Sequence, residues 1–239
     1  MKLPIFYMPG LLPGDTTATL DEATSKHVVQ VLRMGIGRQL QLTDGKGSLH
    51  AVEITDDNRK RCVGKILSTV IAEAPVQQTT IAISPVKNTS RFEWFLEKAT
   101  EIGVREIVPL VCERTEKQQF KFDRMQHILV SAMLQSQQVW LPELKPPVRF
   151  EKYLEENKSE ENKQKFIAHC EETGSKKKLS TAIIPGLSQQ IILIGPEGDF
   201  TRDEIALALD SGFIPVALGN TRLRTETAGI VAATILAAV

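Results

Sequence analysis

Six consecutive residues, Arg222-Leu223-Arg224-Thr225-Glu226-Thr227, bring two guanidinium groups, a carboxylate and two hydroxyls to the entrance of an otherwise apolar segment. Titratable groups converging beside apolar sequence form the pattern of a site tuned for charge stabilisation or proton handling. Upstream, Gly195-Pro196-Glu197-Gly198 and Leu218-Gly219-Asn220 each follow a short apolar run. If those runs are strands, both loops lie at the C-terminal edge of a sheet, where open α/β folds bind ligands against free backbone groups. Neither a GxGxxG nor a GxxxxGK[ST] loop occurs, so no dinucleotide or nucleoside triphosphate is indicated. Two plainer readings stay open beside this one. The glycines supply turn geometry alone; or Thr225 caps a helix, Glu226 sits favourably in its first turn, and the arginines pair with surface acids.

The elements that would position these residues alternate along the C-terminal two thirds of the chain. Strands are predicted over residues 79–86, 106–111, 165–170, 191–194 and 213–218, separated by helices over 90–102, 122–138, 201–212 and 225–239. Phe92, Phe95, Leu96, Ala99 and Ile102 keep helical spacing behind the pair Ser90 and Glu93, which reads as a capping box, and Gly103 reads as the stop. Thr201 and Glu204 form a second such box. The last helix is apolar on nearly every face and must be buried in a core or against another subunit. Residues 151–165 are highly charged and read as an exposed helix or loop, and Lys176-Lys177-Lys178 as a solvated connection.

The N-terminal third has a different texture. Gln39-Leu40-Gln41-Leu42 alternates, Asp44-Gly45-Lys46-Gly47 supplies a turn, and Val52-Glu53-Ile54 alternates again, so a hairpin is expected. Residues 62–70 and 3–7 add strands, with room for one helix over 25–34. A small β-barrel over 1–72 is expected, followed by an α/β domain over 73–239, with Pro75 marking the linker.

Composition bounds the function classes. The 239 residues are 42% hydrophobic and 24% charged, which excludes a disordered or fibrous chain. With 29 basic and 29 acidic residues the net charge is zero, so any nucleic-acid site must be a local patch. Cys62, Cys112 and Cys170 form no CxxC pair, so neither a metal site nor a disulfide framework is expected, and a reducing compartment fits. No apolar run reaches the roughly 18 residues of a membrane span. Pro4, Pro9 and Pro13 interrupt the apolar helix that a secretory signal requires, so the expected location is cytoplasmic.

Taken together, Ile194-Gly195-Pro196-Glu197-Gly198 and Leu218-Gly219-x-x-x-Leu223-Arg224-Thr225-Glu226-Thr227-Ala228 resemble the RsmE-type 16S ribosomal RNA uridine-N3 methyltransferases of the SPOUT superfamily. His27-x-x-x-Val31-Leu32-Arg33, residues 98–104, Glu113-Arg114 and Gln135-Ser136 match the same family in order, so the resemblance spans essentially the whole chain. Departures are local. The family commonly has Glu-Gln-Ser-x-Arg where this chain reads Leu134-Gln135-Ser136-Gln137-Gln138, and Gly-Gly-Phe where it reads Gly198-Asp199-Phe200. Arg222 stands where an apolar residue is frequent, and Thr221 where an arginine is.

The resemblance implies a PUA-like N-terminal barrel, a SPOUT α/β domain with a deep trefoil knot, S-adenosyl-L-methionine as cofactor with no metal, a homodimer, and 16S rRNA of the small ribosomal subunit as substrate. It implies cofactor contacts from Ile194, Gly195, Pro196, Glu197, Gly198, Leu218, Gly219, Leu223 and Thr225. Arg224 is the expected stabiliser of a developing uridine anion, with Glu226 orienting it or accepting the imide proton. Lys26, His27 and Arg33 on the barrel, and Lys87, Arg91 and Arg114 on the α/β domain, are the expected RNA contacts. Two alternatives are a SPOUT methyltransferase with another RNA target and a non-catalytic dimeric RNA-binding protein; cofactor binding separates the second from the others.

Overall fold

The computed structural model describes residues 3–116, 120–158, 162–171 and 176–238. The chain divides into two compact units, Met1–Ala74 with Met133–Leu141, and Pro75–Ala132 with Pro142–Val239.

In the first unit, strands β1 (Ile5–Tyr7), β2 (Thr17–Thr19), β3 (Gln39–Thr43), β4 (Ser48–Asp56) and β5 (Val63–Ile71) form one sheet in the order β1-β3-β4-β5-β2. The expected hairpin is β3 and β4, antiparallel with Leu40 opposite Val52 and Leu42 opposite His50. Alternation buries Leu40, Leu42, Val52 and Ile54 on one face, against Ala18, Leu20, Val28 and Cys62. β1 and β2 are the two ends of the sheet order and are not paired to each other among the described residues.

The helix expected over 25–34 is shorter and mixed. Asp21 caps α1 (Glu22–Lys26) by accepting from the Thr24 amide, and His27–Val31 continues as a π-turn closed by Leu32 N donating to the His27 carbonyl. Arg33 then takes φ +52°. The return of residues 133–141 to this unit is also absent from the local sequence pattern. Gly47 N donates to the Val139 carbonyl, Leu141 N to the Gly45 carbonyl, and the Trp140 ring covers Gly47 so closely that no Cβ fits there.

The second unit is a parallel sheet of β6 (Gln78–Ile83), β7 (Glu106–Val111), β8 (Glu143–Leu144), β10 (Lys163–Ala168), β11 (Lys177–Lys178), β12 (Gln189–Ile194) and β13 (Ile214–Ala217). Its order is β11-β13-β10-β12-β6-β7-β8, with the short β9 (Val148–Arg149) also beside β7. Helices cover both faces, which is why the central strands read as continuous apolar runs. On one face α4 (Phe150–Asn157) and α6 (Arg202–Asp210) pack Phe150, Tyr153, Leu154, Ile205 and Ala208 against Ala82, Val108, Ile167, Ile191 and Leu193. α2 (Thr89–Ile102) packs against α7 (Thr225–Ala237), which also contacts β6 and β12, while α5 (Leu179–Ala182) contacts α7 and β11. α3 (Phe122–Gln135) begins in this unit and its last residues belong to the first.

Several local expectations are corrected by these elements. Asn88, not the Ser90 and Glu93 pair, caps α2, its side chain accepting from the Ser90 amide; the Thr201 and Glu204 capping box is present in both halves. The charged stretch 151–165 hides an amphipathic helix and the start of β10, with residues 159–161 outside the described set. Lys177 and Lys178 form a short strand beside Val216 and Ala217 rather than a free loop.

Candidate functional site

At the C-terminal edge of the second unit's sheet, the register sets the ends of four strands side by side. Ala168 of β10 pairs with Ile194 of β12 and Val216 of β13, and Ile194 pairs in turn with Ile83 of β6. The chain leaving each strand therefore enters the same region, and hydrogen bonds knit the loops together. Ser84 N donates to the Ile194 carbonyl at 2.9 Å, and Thr225 Oγ1 to the Gly195 carbonyl at 3.0 Å. Asp199, at φ +63°, accepts from its own neighbour Phe200 N and from Cys170 N at 2.7 Å. The approach at Gly195 is close: a Cβ there would lie 3.0 Å from the Phe200 ring and 3.2 Å from its backbone nitrogen.

The segment after β7 joins from the other side. Thr115 Oγ1 bonds Ser84 Oγ at 2.8 Å and accepts from Cys112 N, so a buried hydroxyl pair fixes two loops. Glu113 N donates to Oε1 of Glu204, the same carboxylate that closes the α6 capping box. Arg114 donates to the Gly198 carbonyl at 2.8 Å and to that of Phe200 at 3.4 Å. An arginine expected to meet RNA thus holds the Gly195 to Phe200 loop.

The other expected residues fall into three groups. Ile194, Gly195, Pro196 and Thr225 are buried; Glu197 and Gly198 are exposed; Leu218 and Leu223 are half-buried, and a Cβ on Gly219 would meet nothing within 4 Å. Glu197 Oε1 accepts from Lys87 N at 3.0 Å, while Lys87 Nζ pairs with Glu116 at 2.9 Å, a bond that pushes the lysine pKa upward. Arg224 is the N-cap residue of α7, exposed, and its guanidinium makes no ion pair among the described residues. Glu226 is buried in the first turn of α7 and faces Arg91 Nε at 3.7 Å. So Arg91, not Arg224, is the partner of the carboxylate.

Lys26, His27 and Arg33 lie in the first unit, all exposed, beside exposed Val31, Leu32 and Ile36. Lys26 pairs with Glu22 at 2.7 Å, and His27 stands edge-on to Phe6 with ring centroids 5.8 Å apart.

Sequence reasoning missed three features. The Ser84 and Thr115 hydroxyl pair and the Arg91–Glu226 pair join residues far apart in the chain, with no local signal. His169, one residue beyond β10, is 8% exposed, and neither ring nitrogen has a hydrogen-bond partner among the described residues. Burial, reinforced by Lys176, holds its pKa below the ordinary histidine value, with Asp199 and Glu171 acting in the other direction. Among the described residues no group of three or more His, Cys, Asp or Glu is placed to hold a metal ion, and no helix is long and apolar enough to cross a membrane.

Comparison with known proteins places these features in a family. The RNA methyltransferase domain family matches residues 72–237, and the RNA methyltransferase PUA domain family matches residues 20–67. The ribosomal RNA small subunit methyltransferase E of Synechocystis is 32% identical over 91% of this chain and 72% of its own. A solved structure of a probable rRNA-methyltransferase from Porphyromonas gingivalis is 37% identical, with a TM-score of 0.88 over 97% of this chain and 95% of that one. The ribosomal RNA small subunit methyltransferase E of Neisseria gonorrhoeae, solved bound to S-adenosyl methionine, is 30% identical, with a TM-score of 0.83 over 97% and 95% of the two chains.

Proposed function

This chain belongs to the ribosomal RNA small subunit methyltransferase E family, with a PUA-like first unit and an RNA methyltransferase second unit, and from that premise we propose that it methylates N3 of a uridine in 16S rRNA of the small ribosomal subunit, using S-adenosyl-L-methionine. The observation that carries the reading is the knitting of the loops after β6, β7, β10 and β12 and the start of α7 at one sheet edge.

The residues present fit that cofactor. Open space beside Gly219 lets a ligand approach the backbone, as an adenosine needs, and the buried imidazole of His169 offers polar atoms not engaged by the described residues. The backbone of Ile194, Gly195, Pro196, Gly198, Leu218, Gly219, Leu223 and Thr225 would hold the adenosine part. Glu197, with Oε1 already accepting from Lys87 N, keeps its other oxygen for an ammonium group. When bound, S-adenosyl-L-methionine supplies an electrophilic methyl group on a sulfonium.

The chain's own residues prepare the nucleophile. Uridine N3 carries a proton between two carbonyls, and its loss places negative charge on those oxygens. Arg224 presents donors in a fixed fork to the carbonyls, without a competing carboxylate among the described residues. Glu226, engaged by Arg91, positions the first turn of α7 and so the arginine that precedes it. Lys26, His27 and Arg33 contact rRNA phosphates, and Lys87 and Arg91 do so from the edges of their ion pairs.

Two architectural readings accompany this. We propose a trefoil knot in the second unit: β13 lies beyond β10, yet the chain returns past β10 and β12 to lay α7 on β6, and Thr225 reaches the Gly195 carbonyl on the way. A homodimer is supported by α7, whose Ile230, Val231 and Ile235 are only half-buried in the single chain. The expected place of action, with the ribosome, is the cytoplasm.

The test is incubation with labelled S-adenosyl-L-methionine and small subunits lacking the modification, followed by nucleoside analysis. Label in N3-methyluridine is expected. Label in another nucleoside would keep the methyltransferase and replace the target, and absence of cofactor binding by calorimetry would leave an RNA-binding protein.

A further inference from the structure

His169 is the one buried polar side chain at the ligand edge whose hydrogen-bonding capacity is wholly unused among the described residues. Leaving buried donors and acceptors unmatched is costly, and native structures keep few of them without a reason. Gln190 is the other residue with both side-chain polar atoms unmatched, but it sits near the opposite, N-terminal end of β12. His169 instead follows Ala168, whose strand partners are Ile194 and Val216, so it stands level with the start of the Gly195 loop and the end of β13.

Its backbone is clamped at the peptide that follows it. Lys176 Nζ donates to the His169 carbonyl at 2.7 Å, and the next amide, Cys170 N, donates to Asp199 Oδ2 at 2.7 Å. The peptide that follows His169 is therefore held against the Gly195 to Phe200 loop, which limits how far the residue shifts when a ligand engages it.

We propose that His169 is a cofactor-binding residue, its imidazole hydrogen-bonding the ribose hydroxyls of the adenosine moiety. The inference rests on the cofactor site described above and adds a side chain to what is otherwise a backbone cradle. A neutral imidazole offers one donor and one acceptor, which matches a vicinal diol, whose hydroxyls each give and take a proton. A carboxylate would instead call for two donors. Burial keeps the ring in the neutral form, consistent with that match.

The test is calorimetric titration of S-adenosylhomocysteine and its 2′,3′-dideoxy analogue into wild type, His169→Ala and His169→Gln. Wild type is expected to bind the dideoxy analogue at least about 10-fold more weakly than the parent, the loss of one to two hydrogen bonds. His169→Ala is expected to weaken the parent by a similar factor, leave the dideoxy analogue within about 2-fold, and be largely rescued by His169→Gln, which keeps a donor and an acceptor. Equal binding of the two ligands by wild type overturns the inference whatever the variants do, as does an equal loss for both ligands in His169→Ala. Failure of wild type to bind S-adenosylhomocysteine at all overturns the cofactor site itself, and this inference with it.

Discussion

At the scale of single residues, the site separates two arginines that the sequence set in similar roles. Arg91 is committed to the buried Glu226 carboxylate, whereas Arg224 stands exposed at the start of α7 with no acidic partner among the described residues. Removing a donor aimed at developing charge costs about 10²–10³-fold in rate. Arg224→Ala is therefore expected to lower single-turnover methyl transfer by that factor, with cofactor affinity within about 2-fold of wild type by calorimetry. Arg224→Lys should recover part of the rate, since an ammonium lacks the planar fork. Glu226→Gln, which removes the charge that holds Arg91, should cost about 10-fold with an unaltered pH–rate profile; loss of the acidic limb of that profile would instead make Glu226 the proton acceptor. Two histidines set a pH dependence of stability. Burial holds the pKa values of His50 and His169 down, against the opposing pull of Asp44 and Asp15 on the first and Asp199 and Glu171 on the second. As pH falls below the ordinary value of about 6.5, the unfolded chain takes up protons that the folded chain resists, so their contribution is complete above that pH and is lost on the way down to the folded values. Tm is expected to be lower at pH 5.5 than at 7.5, and His50→Gln with His169→Gln should flatten the difference.

At the scale of elements, α7 is the part on which the site depends, because it sets where Arg224, Thr225 and Glu226 stand. Its close approach to the sheet goes through Gly229: a Cβ there would meet Phe95 Cε2 at 2.6 Å and Ile83 Cδ1 at 2.8 Å. Gly229→Ala gains helix propensity of about 1 kcal/mol but forces the helix off β6 and α2, and overpacking costs about 1–3 kcal/mol. The net expectation is a loss of stability of up to about 2 kcal/mol in urea unfolding, together with weakened cofactor binding, because α7 carries Thr225 away from the Gly195 carbonyl. Elements whose determinants are local were legible in the sequence. The Thr201 and Glu204 box, the stop at Gly103 with φ +93°, the β3–β4 hairpin and the apolar strand of β12 all lie within a few residues of their signals. Elements set by distant partners were not. Ser90 and Glu93 have the spacing of a capping box, yet Asn88 takes the cap two residues earlier. The charged composition of 151–165 masked Phe150, Tyr153 and Leu154, whose spacing of three and four residues buries one stripe of α4. The return of 133–141 to the first unit turns on Trp140 against Gly47, and the Arg91–Glu226 pair spans most of the second unit; neither has a local periodicity to read. That the loops after β12 and β13 lie at the C-terminal edge of the sheet was legible through the glycine motifs, while the strand order and the bonds that lock the loops were not.

At the scale of the whole molecule, the unresolved demand of the sequence is the covering of α7. A helix apolar on nearly every face must have every face buried, and in one chain the side bearing Gly229, Ala232, Ala233 and Leu236 is buried while Ile230, Val231 and Ile235 remain half-exposed. Zero net charge means that two copies approach without long-range repulsion, so the apolar surface can drive association unopposed. A second copy of the chain is the occupant that the proposed homodimer supplies, and a two-fold interface would then place the same residues against each other or against one shared neighbouring surface. Sedimentation equilibrium at micromolar concentration is expected to give twice the chain mass, with no dependence on salt of the kind that charge-driven association would show. Val231→Glu, which sets a carboxylate in the proposed interface without touching the buried side of the helix, should shift the equilibrium to monomer by at least about 100-fold in Kd, the scale of burying one unpaired charge. Because α7 also carries the start of the site, the monomeric variant is expected to bind S-adenosylhomocysteine more weakly, and the loss should be recovered by raising protein concentration. A wild-type chain that sediments as a monomer at all accessible concentrations would mean that those half-buried residues are covered by the RNA particle instead, and that the site is complete within one chain.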